Sequence, residues 1–209
     1  MTLSDMAGML WQHTPYLLGG YAGNLLIAVL AMATGTALGM GLGSARSLSV
    51  RALRLPAAWL TSMFRNVPSF VLMFYVAFVM PAEFQWGNSI VQIPLWIKAT
   101  IALIMPVIGF ASDQFTAYLR HIRQRQHGAR ATFIVAWVQY FLIVLMASAT
   151  ASVIGADEVV SRANRVISFN NDPTFLLLTY GYVCLWFLLT GLLVSSAARA
   201  LDRSTPGQG

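Results

Sequence analysis

Five long apolar stretches, separated by short polar segments, make up most of the sequence. Each stretch exceeds the length of about 20 apolar residues with which an α-helix crosses a hydrocarbon core about 30 Å thick. The pattern therefore predicts an all-α membrane protein with five transmembrane helices in one transmembrane domain over residues 1–209. The predicted spans are 16–43, 57–80, 95–118, 131–154 and 174–198.

The segment before the first span does not resemble a secretory signal peptide. It has no basic start, and Asp5, Gln12, His13 and Pro15 interrupt its apolar run. A signal peptide needs a positively charged start followed by an uninterrupted apolar region. We expect instead a short amphipathic segment that lies on the membrane surface.

The distribution of basic residues predicts the orientation of the spans. Nine of the 13 Lys and Arg residues lie in the loops after the first and third spans and in the C-terminal tail. The opposite loops hold Arg162 and Arg165 together with four acidic residues. Because cytoplasmic loops carry an excess of Lys and Arg, the N-terminus is predicted outside and the C-terminus in the cytoplasm. The nine residues are Arg46, Arg51, Arg54, Arg120, Arg123, Arg125, Arg130, Arg199 and Arg203.

The composition excludes an ordinary water-soluble domain. Hydrophobic residues make up 57% of the chain and charged residues 10%, whereas a soluble domain is about 25% charged. The net charge of +6 is explained by cytoplasmic arginines and does not indicate nucleic-acid binding. A single cysteine, Cys184, excludes an intramolecular disulfide and a cysteine-based zinc cluster. The three histidines are too scattered to indicate a metal site.

No arrangement of residues predicts an enzyme. All three histidines lie outside the predicted spans, so no Ser-His-Asp set can form there. Asp113 is the only aspartate within a span, which excludes an intramembrane aspartyl protease. Lys98, the only lysine, is not part of a Gly-Lys-Ser/Thr phosphate-binding loop. We therefore predict no cofactor on this chain, and any ATP would be bound by a partner subunit.

Three ionisable residues lie in or near the spans, where charge is costly and often functional. Lys98 is close to the outer end of the third span and is expected to extend towards the interface. Arg65 either binds carbonyl groups that Pro68 frees in the second span, or it has a coupling role. Asp113 lies deeper in the third span. Pairing with a basic residue, binding of a cationic substrate and proton transfer remain alternative roles for it.

A ladder of small residues runs along the first span. Ala31, Gly35, Gly39 and Gly43 recur every four positions and therefore share one helix face. Such a face lets another helix backbone approach closely. We predict helix packing within one subunit, with a dimer contact as the secondary alternative.

Three segments resemble parts of a known family. They are Tyr16-Leu-Leu-Gly-Gly-Tyr-Ala-Gly-Asn-Leu-Leu-Ile-Ala28 with the glycine ladder and Ala45-Arg46, then Phe64-Arg65-Asn66-Val67-Pro68, and then Ser152-Val153-Ile154-Gly155. The second is similar to a Phe-Arg-Gly-Thr-Pro segment. Over nearly its whole length the chain resembles the permease subunits of polar amino acid ABC importers of the histidine, glutamine, arginine and opine type.

The resemblance implies a type I ABC importer permease in the bacterial inner membrane. Such a subunit moves a polar amino acid or related solute into the cytoplasm. Its implied partners are cytoplasmic ATPase subunits, a second permease subunit and a periplasmic or lipoprotein solute-binding protein. We assign Asp113, Ser148 and Thr150 as candidate substrate-pathway residues, and Arg65, Asn66 and Pro68 as a structural motif.

The chain departs from this family between the third and fourth spans. Family members have a cytoplasmic loop there, with a Glu-Ala-Ala motif, that forms a coupling helix seated on the ATPase. Arg120 and Met146 are only 26 positions apart, which is too short for that loop. The remaining basic segment either docks on an ATPase or anchors to anionic lipid headgroups. Its candidate coupling residues are Arg120, Arg123, Arg125, Gly128, Ala129 and Arg130.

The short loop favours a heterodimer in which the second permease carries the intact coupling helix. Two other functions stay open from the sequence. One is a degenerate, non-transporting subunit with an assembly or sensory role. The other is an ion-coupled secondary transporter that uses Asp113.

Overall fold

Helices follow one another along almost the whole of the computed structural model, which describes residues 2–87, 89–126, 128–170 and 172–204. The described part contains seven α-helices and one short β-hairpin. The helices are α1 (Leu3–Arg46), α2 (Arg51–Asn66), α3 (Ser69–Val79), α4 (Leu95–Arg123), α5 (Ala129–Ser148), α6 (Val159–Ile167) and α7 (Pro173–Ser204). A 3-10 helix over Ala149–Ile154 continues α5.

Four helical segments in the described part are long and apolar enough to cross a membrane. They are α1, α4, α5 with its 3-10 extension, and α7, and they contain the predicted first, third, fourth and fifth spans. The consecutive helices α2 and α3 would make a fifth span if they are counted together. The molecule therefore has the all-α membrane architecture that the sequence predicts.

The prediction of one helix over 57–80 needs correction. Helix α2 ends at Asn66, α3 begins at Ser69, and the two are bent by 97°. Pro68 has no amide hydrogen to donate and disfavours helical dihedrals at the residue before it. Val67 accordingly has φ −88° and ψ 127°, which is extended backbone.

The N-terminal segment also differs from its prediction. It is the beginning of α1 and not a separate surface helix. Thr2 caps the helix: its hydroxyl accepts from the Asp5 amide, while the Asp5 carboxylate accepts from the Thr2 amide. This reciprocal capping supplies partners for amide groups that otherwise have none at a helix start.

Two small elements between the long helices are absent from the sequence predictions. A hairpin of β1 (Glu83–Trp86) and β2 (Ser89–Gln92) joins α3 to α4, with Glu83 paired to Gln92. Helix α6 follows the 3-10 segment and packs against α1 and α7. Its nine residues are too few to cross a membrane.

The glycine ladder of α1 lies against α4. A Cβ atom at Gly35 would lie 2.6 Å from the Val107 side chain, and one at Gly39 would lie 2.7 Å from the Ile108 carbonyl oxygen. Both values are shorter than side-chain contacts allow, so only glycine fits there. At Gly43 the corresponding contact is the Ser112 carbonyl oxygen at 2.8 Å. The ladder thus serves a helix contact within the chain.

Two apolar clusters lie along α1. The larger one joins α1, α3, α4 and α5 and includes Ile27, Met32, Met73, Leu103 and Leu145. The smaller one joins the first half of α1 to α6 and α7 and includes Leu17, Val159 and Phe175. Helix α1 contributes to both clusters and is the central element of the fold.

Candidate functional site

An ion-pair cluster joins three helix segments at the C-terminal end of α1. The two carboxylate oxygens of Asp113 accept hydrogen bonds from Arg46 at 2.6 Å and from Arg65 at 2.8 Å. These three residues are the inner cluster. Their side chains are 20% (Arg46), 57% (Arg65) and 27% (Asp113) exposed, so no member is fully buried within the chain. Of the three roles open to Asp113, the structure shows pairing with basic residues.

Local structure places each member of the inner cluster. Arg46 is the last residue of α1, and Arg65 lies in the last turn of α2. Cations at such positions are favoured by the helix dipole. Gly109 lets α2 approach α4, because a Cβ there would lie 2.7 Å from the Arg65 backbone nitrogen. Gly109 was not predicted from the sequence, since it stands outside the α1 ladder.

The second-span motif has a different internal arrangement from the expected one. Arg65 pairs with Asp113, and among the described residues its side chain donates to no backbone carbonyl group. Asn66 is the last residue of α2, and its side-chain amide donates to the Ser62 hydroxyl at 3.4 Å. Pro68 is the residue that precedes the first turn of α3. The motif therefore shapes the bend between the two helices.

Ser148 and Thr150, the other two pathway candidates, lie far from Asp113. Ser148 is fully buried and accepts from the Asn24 side-chain amide at 3.0 Å. Asn24 and Arg46 are 22 positions apart on α1, or about 33 Å along the helix axis. Thr150 donates to the Ala147 carbonyl at 2.7 Å and is partly buried. The structure therefore does not gather the three candidates into one site.

A second polar cluster contains Asn24, Ser148 and Glu158. It was not predicted from the sequence, and we call it the outer cluster. All three residues have 0% exposure. The Asn24 amide donates to Ser148 and to the Glu158 carboxylate, both at 3.0 Å, and its carbonyl oxygen accepts from the Val159 amide at 3.0 Å. An asparagine within the apolar first span was the available signal, because a buried polar group needs partners.

Glu158 caps the start of α6. Its carboxylate accepts from the backbone amides of Val160 and Ser161 at 3.0 and 2.8 Å. Burial raises the pKa of the Glu158 carboxyl, although the hydrogen bonds from Val160, Asn24 and Ser161 act in the opposite direction. The carboxyl group thus links α6 to α1 through Asn24.

Lys98 has a different role from the predicted one. Its side chain is 3% exposed and does not extend towards the interface. The ammonium group donates to the carbonyl oxygens of Met80 at 2.7 Å and Ala77 at 3.2 Å. These carbonyls lie at the end of α3, where a cation offsets both unpaired acceptors and the helix dipole. Lys98 is thus the C-terminal cap of α3.

The candidate coupling segment forms the connection between α4 and α5. Helix α4 continues to Arg123 and α5 begins at Ala129, so Arg120 and Arg130 belong to the two helices. Gly128 precedes α5 with φ +80°, and Arg125 has φ +53°. His127 lies outside the described residues. In residues 124–126 and 128, the described part of the connection, there is no coupling helix.

The described residues offer no cluster of three or more His, Cys, Asp or Glu side chains that could hold a metal ion. Cys184 is exposed on α7. The two polar clusters and the basic connection are therefore the candidate functional features of the described residues.

The fold is similar to two solved ABC transporters. A crystal structure of an amino acid ABC transporter with histidines matches with a TM-score of 0.76 and 19% identity, over 98% of this chain and 100% of that one. The MetNI methionine ABC transporter, in inward-facing conformations, matches with a TM-score of 0.68 and 14% identity, over 91% and 96%. No protein-family model and no curated protein matches the sequence. The chain therefore has the fold of ABC transporter permease chains.

Proposed function

We propose that the chain is the transmembrane subunit of an ABC importer in a bacterial inner membrane. The proposed substrate is a polar amino acid or a related solute, carried into the cytoplasm. The observation that supports this proposal is the full-length match to the amino acid ABC transporter, with a TM-score of 0.76. Because identity is only 19%, the substrate and the direction of transport rest on the motifs of the first and second spans.

Energy would come from a partner in this proposal. The sequence has no phosphate-binding loop around its only lysine, so cytoplasmic ATPase subunits would bind and hydrolyse ATP. A periplasmic or lipoprotein solute-binding protein would deliver the solute. The chain itself would bind no cofactor and catalyse no reaction.

The connection between α4 and α5 favours a heterodimer. A coupling helix transmits closure of an ATPase as a rigid-body movement of the spans. This chain passes from Arg123 to Ala129 without one in the described residues. A second permease with a complete coupling helix would then transmit most of the movement. The six candidates of this connection, Arg120 to Arg130, would make at most a secondary contact with the ATPase.

Among the pathway candidates, Thr150 is the best placed to contact a solute. Ser148 is fully buried and hydrogen-bonded to Asn24, and Asp113 is paired with two arginines. Thr150 is partly exposed, and its hydroxyl also approaches the Met73 sulfur at 3.6 Å. We therefore assign Asp113 to positioning of helix ends and retain Thr150 as a solute contact.

A second candidate function is a non-transporting subunit with an assembly or sensory role. The same short connection favours it, because a permease that cannot couple to an ATPase could still dimerise. The ion-coupled alternative needs a free Asp113, whereas the structure pairs this carboxylate with Arg46 and Arg65.

Co-purification from native membranes in mild detergent, followed by mass spectrometry, separates these possibilities. An ATPase and a second permease with a full coupling helix would support the asymmetric importer. A homodimeric complex whose ATPase responds to substrate would contradict the heterodimer. Recovery of the chain without an ATPase would contradict the importer.

Uptake in proteoliposomes then tests the positions of the candidates. We expect Thr150→Val to change the solute KM, and Thr34→Val, an exposed threonine on α1, to leave it unchanged. Equal KM values for the two variants would remove Thr150 from the pathway.

A further inference from the structure

A cleft of about 240 Å³ lies where the C-terminal ends of α1 and α4 meet the N-terminal end of α2. Four arginines line it, one or two from each helix: Arg46, Arg54, Arg120 and Arg123. Ser47 and Thr116 are also part of its lining. Among the described residues, no acidic side chain lines this cleft. By the distribution of basic residues, this end of the molecule is the predicted cytoplasmic side.

The charge of the cleft is largely uncompensated. Arg46 is paired with Asp113, and Arg123 donates to the Ser47 carbonyl at 3.2 Å. Arg54 and Arg120 have no hydrogen-bond or ion-pair partner among the described residues. Like charges that converge in one cleft repel each other, and a bound anion relieves this repulsion.

The geometry favours a phosphate group. Guanidinium groups donate two parallel hydrogen bonds to phosphate oxygens, which makes arginine clusters selective for such anions. A water molecule occupies about 30 Å³ in the liquid, so the volume admits a phosphate together with part of the group that carries it. The Ser47 and Thr116 hydroxyls are further polar groups at its wall.

The surroundings identify the source of the phosphate. Apolar side chains next to Arg54 on α2 are largely exposed: Leu53 and Leu55 at 53% and Trp59 at 67%. Such a surface suits acyl chains, and basic pockets between transmembrane helices at the cytoplasmic side bind anionic headgroups. We propose that this cleft binds the phosphate of an anionic phospholipid headgroup. The bound lipid would hold the ends of α1, α2 and α4 together, independently of whether the chain transports a solute.

Native mass spectrometry of the purified chain, with phosphatidylglycerol or phosphatidylcholine added, tests the site. The cleft variant is Arg54→Gln with Arg120→Gln. The matched control is Arg51→Gln with Arg199→Gln, which removes the same charge from the same predicted side but outside the cleft. We expect the cleft variant to retain about 30-fold less phosphatidylglycerol than the control, since each arginine near an anionic lipid contributes to binding. Phosphatidylcholine retention should be low in all three proteins.

Two outcomes would overturn the proposal. Equal phosphatidylglycerol retention by the cleft variant and the control would show that the lipid binds elsewhere. Stabilisation of the wild type by inorganic phosphate, at constant ionic strength and without phosphatidylglycerol retention, would assign the cleft to a soluble phosphate compound. Helix content by circular dichroism verifies that the variants fold. The cleft variant should fold, because Arg54 and Arg120 have no hydrogen-bond or ion-pair partner among the described residues.

Discussion

The outer and inner clusters both fasten other elements to α1, but they do so with different interactions. The outer cluster is fully buried and depends on hydrogen bonds from Asn24 to Ser148, Glu158 and Val159. The inner cluster consists of ion pairs whose side chains are partly exposed. A buried network is costly to break, whereas exposed ion pairs contribute little and are screened. We therefore expect the molecule to be more rigid at the outer cluster than at the inner cluster.

The close contact between α1 and α4, which lies between the two clusters along α1, should be the most sensitive to substitution. We expect Gly39→Ala to lower the free energy of unfolding by about 3 kcal/mol, because a Cβ atom there overlaps Ala111 and the Ile108 carbonyl. Unfolding in mixed micelles, followed by tryptophan fluorescence, measures this. Gly41→Ala is the matched control: a Cβ there meets nothing within 4 Å, so the variant should be neutral or more stable by up to about 1 kcal/mol. Equal losses for both variants would contradict the close α1–α4 contact.

Breaking the outer cluster should have the next largest effect. Asn24→Ala removes three hydrogen bonds. The buried Glu158 carboxylate loses one donor, and the buried Val159 amide loses its acceptor. We expect a loss of about 2 kcal/mol in the free energy of unfolding. Thr34→Ala, at an exposed position of the same helix, should change it little. The loss should be the same at low and high salt, and a strong salt dependence would argue against a buried network.

The pH dependence of stability sharpens the description of the outer cluster. Because burial raises the pKa of Glu158, this group's contribution to stability is fully present below about 4.5, the ordinary value, and is lost as the pH rises through the folded-state pKa. The free energy of unfolding should therefore fall as the pH rises, with a slope of at most about 1.4 kcal/mol per pH unit for one proton. Unfolding measured between pH 4 and 8 should show this slope in the wild type and not in Glu158→Gln.

The neighbouring carboxyl provides an internal control for that slope. Hydrogen bonds from Arg162 lower the pKa of Asp157, so its contribution is present above about 3.8 and is lost as the pH falls through the folded-state pKa. Asp157→Asn should therefore leave the slope above pH 4.5 intact. Loss of the slope in this variant would show that Asp157, and not Glu158, is the carboxyl group that titrates.

The inner cluster should give the smallest effect. Asp113→Asn removes both ion pairs and leaves Arg46 and Arg65 facing each other. Since Arg65 is 57% exposed, we expect a loss of only about 1 kcal/mol at low salt. The loss should shrink in 0.5 M salt, where the Debye length is below about 8 Å. A larger and salt-independent loss would reverse the comparison between the clusters.

The sequence was a good predictor of the long helices, because the length and apolarity of a span are local properties. It also contained the signal for the bend at Pro68, although 57–80 was predicted as one helix. The outer cluster could not be derived in the same way. Asn24 and Glu158 are 134 positions apart, and only the packing of α6 on α1 brings them together.

The charged residues show the same limit. Three roles for Asp113 were compatible with the sequence, and the choice among them required the positions of Arg46 and Arg65. The role of Lys98 depended on where α3 ends. The substrate-pathway assignments and the orientation of the spans stay predictions, because they depend on a solute, a partner or a bilayer.

The burial of Lys98 has a consequence for chemical labelling. This residue is the only lysine in the sequence, and the ammonium group is enclosed by the end of α3. Reagents that modify lysine side chains should therefore leave Lys98 of the folded chain unmodified. Any modification that does occur at Lys98 would report that α3 has separated from α4. A single residue thus provides a chemical sensor for the position of one helix, without any engineered label.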